Sequence, residues 1–477
     1  MQPSIRFRAL VCSLLFGTFA CSGGSDAPPP TSVVAPDTDP VIVVTPIGAQ
    51  VATAGVAYSF DATRNNTTFN DPRRTGLTYA VSFAPASNGF TVVAGRIAGT
   101  PTAPAMTTVT IIGTDASGRS ATHAFSIVTF SSDLQLPVLP QSTFNYSDAT
   151  APLPVHFTVP GGPGGPVIAT DNTPPNNVTT NAGATLGRVL FYDRRLSTND
   201  RVACSSCHLP QFAFGDTAKL SVGFAGGRTG RHSMALANAR FYQPGRFFWD
   251  ERAATLEAQV LQPIQDTTEM GMTLPNLLTK LSVTSYYAAL FQSAFGTTEI
   301  SSDRVSRALA QYVRSLVSAT SKFDQAFAGG PVPNFPAIFT PDELAGQAIF
   351  NGQGGCARCH GTSSFVGDAI HNTGLDATIT DVGAGGGRFK APSLKNIAVR
   401  PPYMHDGRFN SLEQVVDFYN NGVLNNPNLD NRLRGPGGLP QRLNLNVTQR
   451  NQVVAFLRTL TDVAFMTNAK FANPFAQ

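Results

Sequence analysis

Between residues 41 and 131 apolar and polar positions change over in short runs. Val41–Thr45, Tyr79–Phe83, Thr107–Gly113 and Ala121–Phe130 are rich in β-branched and aromatic residues, which suit a pleated surface with one face covered. Turn signals such as Gly99-Thr-Pro101 and Ala116-Ser-Gly-Arg119 separate them, and the segment predicts a small all-β domain. From about residue 182 the period lengthens. Val305, Ala308, Leu309, Tyr312, Val313, Leu316 and Val317 recur at helical spacing behind Ser302 as the cap. Thr340-Pro-Asp-Glu343 is a capping box with Pro341 at the first helical position, and Val447–Leu460 predicts a closing amphipathic helix. Ser131–Asn181, with its run Pro160-Gly-Gly-Pro-Gly-Gly-Pro166, follows neither period. It reads as linker and wrapping strand without regular structure.

The helical part echoes itself. Gly187-Arg-Val-Leu-Phe191 precedes Cys204-Ser-Ser-Cys207-His208, and Gly346-Gln-Ala-Ile-Phe350 precedes Cys356-Ala-Arg-Cys359-His360. In a Cys-x-x-Cys-His run the thiols can form thioethers to haem vinyl groups, and the adjacent His is placed to be the proximal iron ligand. Zinc would need its four ligands in one cluster, whereas these runs sit apart in matching positions of a repeat. Redox dithiols lack the following His. The pattern therefore predicts two c-type haems, one in each of two helical units.

Charge changes the picture little. The 477 residues carry a formal charge of +4 with no basic stripe, which argues against a nucleic-acid partner. Cysteine usage changes it more. Four of the six cysteines are in the haem runs, and the others, Cys12 and Cys21, lie near the start. Residues 1–20 read as an export signal, with Arg6 and Arg8 ahead of the apolar run Ala9–Phe16. Thr18-Phe-Ala-Cys21 resembles a bacterial lipoprotein cleavage site, with Cys21 as the lipidated residue, although ordinary cleavage near Ala20 stays open. Residues 22–40 then form a tether, and the expected location is the periplasm or cell envelope, with a lipid anchor as the sole membrane contact.

Residues from about 170 to 465 resemble the bacterial di-haem cytochrome c peroxidases, which include the MauG-type oxidases. The runs that carry the likeness are Leu186–Asp193, Phe248-Trp-Asp-Glu-Arg252, Glu257–Pro263, Glu269-Met270, Ala391–Asn396 and Pro402–Gly407, together with the haem runs. The resemblance implies a peroxidatic unit over 182–335 and an electron-transfer unit over 336–465. It implies that hydrogen peroxide reacts at the His208 haem, with Glu269 as distal acid–base and Gln259 and Pro263 completing the distal pocket. It also places Trp249, the single Trp of the chain, between the haems as an electron relay. Where other members place a Met ligand to the second haem, this chain has Tyr419, as the MauG type does, while Met404 reads as core. His232 falls where the family has an Asn that binds an inter-haem calcium, with carbonyls around Ala391 as further donors. Residues 41–131 resemble the immunoglobulin-like, cadherin-like modules of bacterial surface proteins.

The expected architecture is thus multidomain, a small all-β sandwich (41–131), a linker (132–181) and a mainly α pair of cytochrome c-like domains. The expected function is reduction of hydrogen peroxide to water, with electrons from a small redox protein (a cytochrome c or a cupredoxin) or from an oxidisable protein substrate. The competing reading is a non-catalytic, envelope-tethered di-haem electron carrier. Asp115 reads as a turn residue, and His123 and His156 as surface residues. His371 reads as a propionate neighbour or as nothing.

Overall fold

The computed structural model describes residues 39–73, 76–159 and 165–475. The export signal, Cys12, Cys21 and nearly all of the tether lie outside the described residues.

Two main sheets make the β domain, beside a two-stranded ribbon of Ile42–Val43 and Phe69–Asn70. One runs Gln50–Thr53, Ser120–Phe130, Ala105–Thr114, Thr78–Ala84, and the other Tyr58–Asp61, Arg96–Gly99, Phe90–Val93. Alternate residues Val109, Ile111 and Ile127 turn inward with Ile97 and are fully buried, as the period of two requires. The strands Gln50–Thr53, Tyr58–Asp61, Phe90–Val93 and Arg96–Gly99 are additions to those read from the sequence. Each is only four residues long, so alternation alone is weak there. Asp115 is a turn residue. Its carboxylate accepts from the backbone N–H groups of Ser117 (2.8 Å) and Arg119 (2.9 Å), closing the long hairpin.

Each helical unit is built on one crossed helix pair. Asn181–Tyr192 packs on Ser302–Arg314, and Pro341–Asn351 packs on Val447–Arg458. The cap of Ser302–Arg314 is Ser301, one residue earlier than expected, because its hydroxyl accepts from the Arg304 N–H. Thr340 and Glu343 form the expected capping box. The echo Gly187/Gly346 marks the crossings. A Cβ on Gly187 would lie 2.0 Å from the Ala308 carbonyl oxygen, and one on Gly346 would lie 1.8 Å from that of Gln452. Only glycine lets the two backbones approach so closely.

The segment after the β domain is more structured than its composition predicts. It carries a helical turn at Val155–Thr158 and a 3-10 turn at Val167–Thr170. His156 is not a surface residue. It is 5% exposed, stacks on Phe327 at 4.4 Å, and its Nε2 lies 2.9 Å from Asp324, which also accepts from Lys395. Aromatic anchors and this buried polar network strap the segment to both haem units, outweighing its weak local propensity. His123, half-buried, lies 2.8 Å from the Ile47 N–H. The exit of the β domain is held too, since the Ser131 N–H donates to Asp200 (3.0 Å), whose other oxygen pairs with buried Lys280. The chain end returns to the first unit, where Tyr192 and Tyr146 donate to the carbonyls of Phe471 and Lys470, each at 2.6 Å. Among the described residues no helix is long and apolar enough to cross a membrane.

Candidate active site

The two Cys-x-x-Cys-His runs fold alike. Each is a single 3-10 turn, Cys204–Ser206 and Cys356–Arg358, whose first carbonyl accepts from the His N–H at 3.0 Å. Each His then aims Nδ1 at a backbone carbonyl 3.0 Å away, Phe214 for His208 and Phe365 for His360. Both acceptors are phenylalanines with left-handed backbone (φ 62° and 52°), a conformation a bulky residue adopts under tertiary constraint. The carbonyl fixes the tautomer, so Nδ1 carries the proton and Nε2 keeps its lone pair. Burial pushes both imidazoles below their ordinary pKa, His360 to about 4. Both are neutral donors. Burial also pushes the thiols up, Cys204 and Cys356 to about 12 and Cys207 to about 11, the reverse of what a redox or zinc thiolate needs.

A cavity of about 520 Å³ opens over the first run. Cys204, Cys207 and His208 line it together with Gln259, Pro263, Glu269, Arg252 and Trp249. Gln259 comes from the helix Leu256–Val260, capped by Thr255, and Pro263 from the next turn, Gln262–Gln265. Glu269 sits in the bend that follows. Its carbonyl accepts from Phe224 (2.9 Å), and Gly223 lies so near Thr268 that a Cβ there would be 1.6 Å from its oxygen. No described residue hydrogen-bonds the Glu269 carboxylate. Burial, with the Asp266 carboxylate adding repulsion, raises its pKa.

The second cavity, about 220 Å³, is lined by Cys356, Cys359, His360, Met404 and Tyr419. Tyr419 lies in a π-helical turn, Phe418–Gly422, that continues the helix Leu412–Asp417. Such turns re-aim one side chain inside a helix. Its hydroxyl has no partner among the described residues, and burial with the nearby Cys359 and Cys356 thiols raises its pKa. Met404 lines the same cavity and packs with Tyr419 in a cluster around Phe418, Val423 and Leu429. Beside this cavity, His371 is buried between Asp430 (2.6 Å) and Asp368 (3.2 Å). Cys359, Asp368 and His371 have metal-ligand spacing among the described residues, but Cys359 belongs to the haem run.

One wall is common to both cavities. His232, Ser233, Met234, Trp249 and Lys390 line each of them. The Trp249 indole N–H donates to the His232 carbonyl (2.7 Å), and the His232 N–H to the His405 carbonyl (2.7 Å). Arg231 clamps the wall by pairing with Asp250 (2.6 Å) and Asp381 (2.7 Å).

Two buried cations were not read from the sequence. Lys390 stacks over Tyr242 (3.9 Å) and Phe247 (4.6 Å), and burial lowers its pKa to about 7. Arg400 lines the second cavity, burial lowers its pKa to about 10, and its Nε has no hydrogen-bond partner. Neither has a carboxylate partner among the described residues. Buried charges left this way call for an anion from outside the chain. Paired thiols, a neutral imidazole and an unpaired buried cation fit a haem, with its vinyls, its iron and its propionates. The signal for Lys390 was a lone cation inside the apolar run Phe389–Pro392.

The calcium donors fit less well. His232 turns Nδ1 to the Ala218 carbonyl (3.1 Å), and the Ala391 carbonyl accepts from Gly367 (3.1 Å). An imidazole and an engaged carbonyl are not the oxygen-rich cage calcium takes.

Residues 181–331 match the family model of the di-haem cytochrome c peroxidases. The chain is 36% identical over 298 residues to the methylamine utilization protein MauG of Methylorubrum extorquens, covering 60% of this chain and 80% of that protein. It is 29% identical over 290 residues to cytochrome c551 peroxidase of Nitrosomonas europaea, covering 58% and 79%. Among solved structures it resembles a MauG-like protein associated with microbial copper homeostasis, at 29% identity and TM-score 0.58, covering 68% of this chain and 99% of that one. The di-haem peroxidase BthA of Burkholderia thailandensis shares the fold, at 22% identity and TM-score 0.52, covering 71% and 98%. The likeness runs through both haem units, and nothing in it favours a non-catalytic carrier. With two haem sites joined by one wall, the chain belongs to the di-haem cytochrome c peroxidase family, as an oxidoreductase that holds two c-type haems.

Proposed function

We propose that hydrogen peroxide is reduced in the His208 cavity and that the His360 cavity is where electrons enter. The observation that carries this division is that Glu269 and Gln259 line the first cavity alone, while Trp249 lines both. When bound, the haems supply iron that takes up the oxidising equivalents of peroxide. The rest falls to the chain. Glu269, unpaired and with a raised pKa, takes a proton from peroxide and returns it to the departing oxygen as water. Two protons and two electrons per peroxide give two waters. Gln259 orients the peroxide, and Pro263 narrows the space around it. The Trp249 indole passes electrons across the shared wall.

Tyr419 is read as the sixth ligand of the second haem, supported by its unpartnered hydroxyl in the His360 cavity. A phenolate is a hard anionic donor that favours ferric and higher iron, which suits MauG-like sharing of oxidising equivalents. The electrons come from a small redox protein or an oxidisable protein substrate. We assign no step to a cation at His232 and Ala391, given how both donors are engaged. The protein is placed in the periplasm on the strength of its haem runs and leader, with Cys21 as its lipid anchor. The β domain is read as an immunoglobulin-like spacer.

Ferric EPR before and after one equivalent of hydrogen peroxide tests the reading. One high-spin and one low-spin signal, both lost on addition, support it. Two low-spin signals that ignore peroxide even after half-reduction would favour the electron carrier.

A further inference from the structure

The last strand of the β domain, Ser120–Phe130, ends against the first haem unit. Two cations face its final ring, the Arg195 guanidinium at 5.6 Å from the Phe130 centroid and the Lys280 ammonium at 5.7 Å. Each is backed by a carboxylate, Arg195 by Asp193 (3.1 Å) and Lys280 by Asp200. The next residue, Ser131, donates its N–H to the other oxygen of Asp200 (3.0 Å). Asp200 is 1% exposed and has left-handed backbone (φ 58°), a conformation that a non-glycine residue keeps where partners hold it. Lys280 also donates to the Ser197 carbonyl (3.0 Å), and the Ser197 hydroxyl accepts from the N–H groups of Arg201 (3.1 Å) and Val202 (3.2 Å). Residues 197–202, which lead into Cys204, are thus pinned from the β-domain side.

The same loop grips the bend that carries Glu269. The Thr198 N–H donates to the Met270 carbonyl (3.0 Å), and its hydroxyl donates to that of Gly271. The Asn199 amide donates to the Phe224 carbonyl (2.9 Å), and the Phe224 N–H donates to that of Glu269 (2.9 Å). Because no described residue hydrogen-bonds the Glu269 carboxylate, its aim depends on the main chain of this bend.

We propose that the end of the β domain, Phe130–Ser131, is part of the support of the peroxide pocket, with Asp200 as the positioning residue that connects it to the Glu269 bend. The inference rests on reading Glu269 as the acid–base group, and it gives the β domain a part beyond that of a spacer. Two cations on one ring and one main-chain donor on a buried carboxylate fix the loop. The loop in turn fixes the bend, where a misplacement of about 1 Å can cost up to about 10²-fold in rate.

The test uses the full haem-loaded chain and variants on the β-domain side alone. Ser131→Pro removes the N–H given to Asp200 and follows an extended residue, where proline is tolerated. Phe130→Ala removes the ring that faces both cations, and Phe130→Tyr keeps it. Hydrogen–deuterium exchange with mass spectrometry reads the loop and the bend, and stopped-flow spectra read the reaction of the first haem with hydrogen peroxide. Ser131→Pro and Phe130→Ala should speed exchange over 197–203 and 266–271 and slow the peroxide reaction about tenfold. The midpoint potential of the second haem should stay unchanged, and Phe130→Tyr should behave as the parent chain does. Unchanged exchange at the bend would overturn the proposal. So would faster exchange there with a full peroxide rate, in a chain that Glu269→Gln slows. Faster exchange with a full peroxide rate in Glu269→Gln as well would fail the acid–base reading and leave the brace standing.

Discussion

The backbone N–H of Lys390 donates to the carbonyl of Trp249 at 2.8 Å, and the side chains of both residues line the two haem cavities. One residue comes from each haem unit. The single indole and an uncompensated buried ammonium thus share one wall, locked by a main-chain bond that side-chain substitution leaves in place.

Trp249→Phe should therefore keep the wall and both haems while removing the indole and its bond to His232. Stopped-flow spectra after peroxide addition should show the second haem responding more slowly and the first unimpaired. An unchanged second phase would remove Trp249 from the electron path.

Glu269→Gln should lower kcat/KM for peroxide by roughly 10²–10⁴-fold with haem spectra intact. Glu269 must be ionised to accept the peroxide proton. Its raised pKa therefore sets the acid limb, and activity falls as pH drops through it. Asp266→Asn removes a repelling charge, so the limb should move to lower pH; a limb that stays put would clear Glu269 of the role.

Tyr419→Met should raise the midpoint potential of the second haem, since axial ligands tune haem potentials over about 0.8 V. Redox titration with EPR reads this directly. No shift would mean that Tyr419 is not a ligand.

Asp324 is the acceptor that both His156 and Lys395 need. Asp324→Asn leaves the buried Lys395 ammonium without its charge partner, which typically costs about 3–5 kcal/mol, seen as a lower Tm of the haem-loaded protein. Burial pushes the Asp324 pKa up, but Lys395, His156 and Ser321 outweigh it, so the folded value is depressed. The corresponding stability is present above the unfolded carboxylate range and drains as pH falls through the folded value. The mutant should lose this part of the acid dependence.

Gly346→Ala should separate the second helix pair, because its Cβ would meet the Gln452 carbonyl at 1.8 Å. Overpacking of this sort costs about 1–3 kcal/mol, and urea unfolding of the haem-loaded protein would measure it. Gly187→Ala should act likewise on the first pair.

What the sequence determined by itself was local. Thioether attachment and the proximal His need only five consecutive residues, so both haem runs were legible as written. The capping box Thr340–Glu343 was legible for the same reason, since neighbouring residues satisfy the first backbone groups of their own helix, while the cap of Ser302–Arg314 was displaced by one residue, to Ser301. The echo Gly187/Gly346 was visible as a repeat, but its cause, a backbone crossing, was not. Tertiary structure decided the rest. A Pro/Gly-rich strap gained order because distant partners, Asp324 and Phe327, buried His156. Lys390 and Arg400 became candidate haem partners only once folding took both out of water without a carboxylate. The wall shared by Trp249 and Lys390 exists only where two units meet, because the burial and pairing that give a side chain its chemistry depend on neighbours far away in the chain.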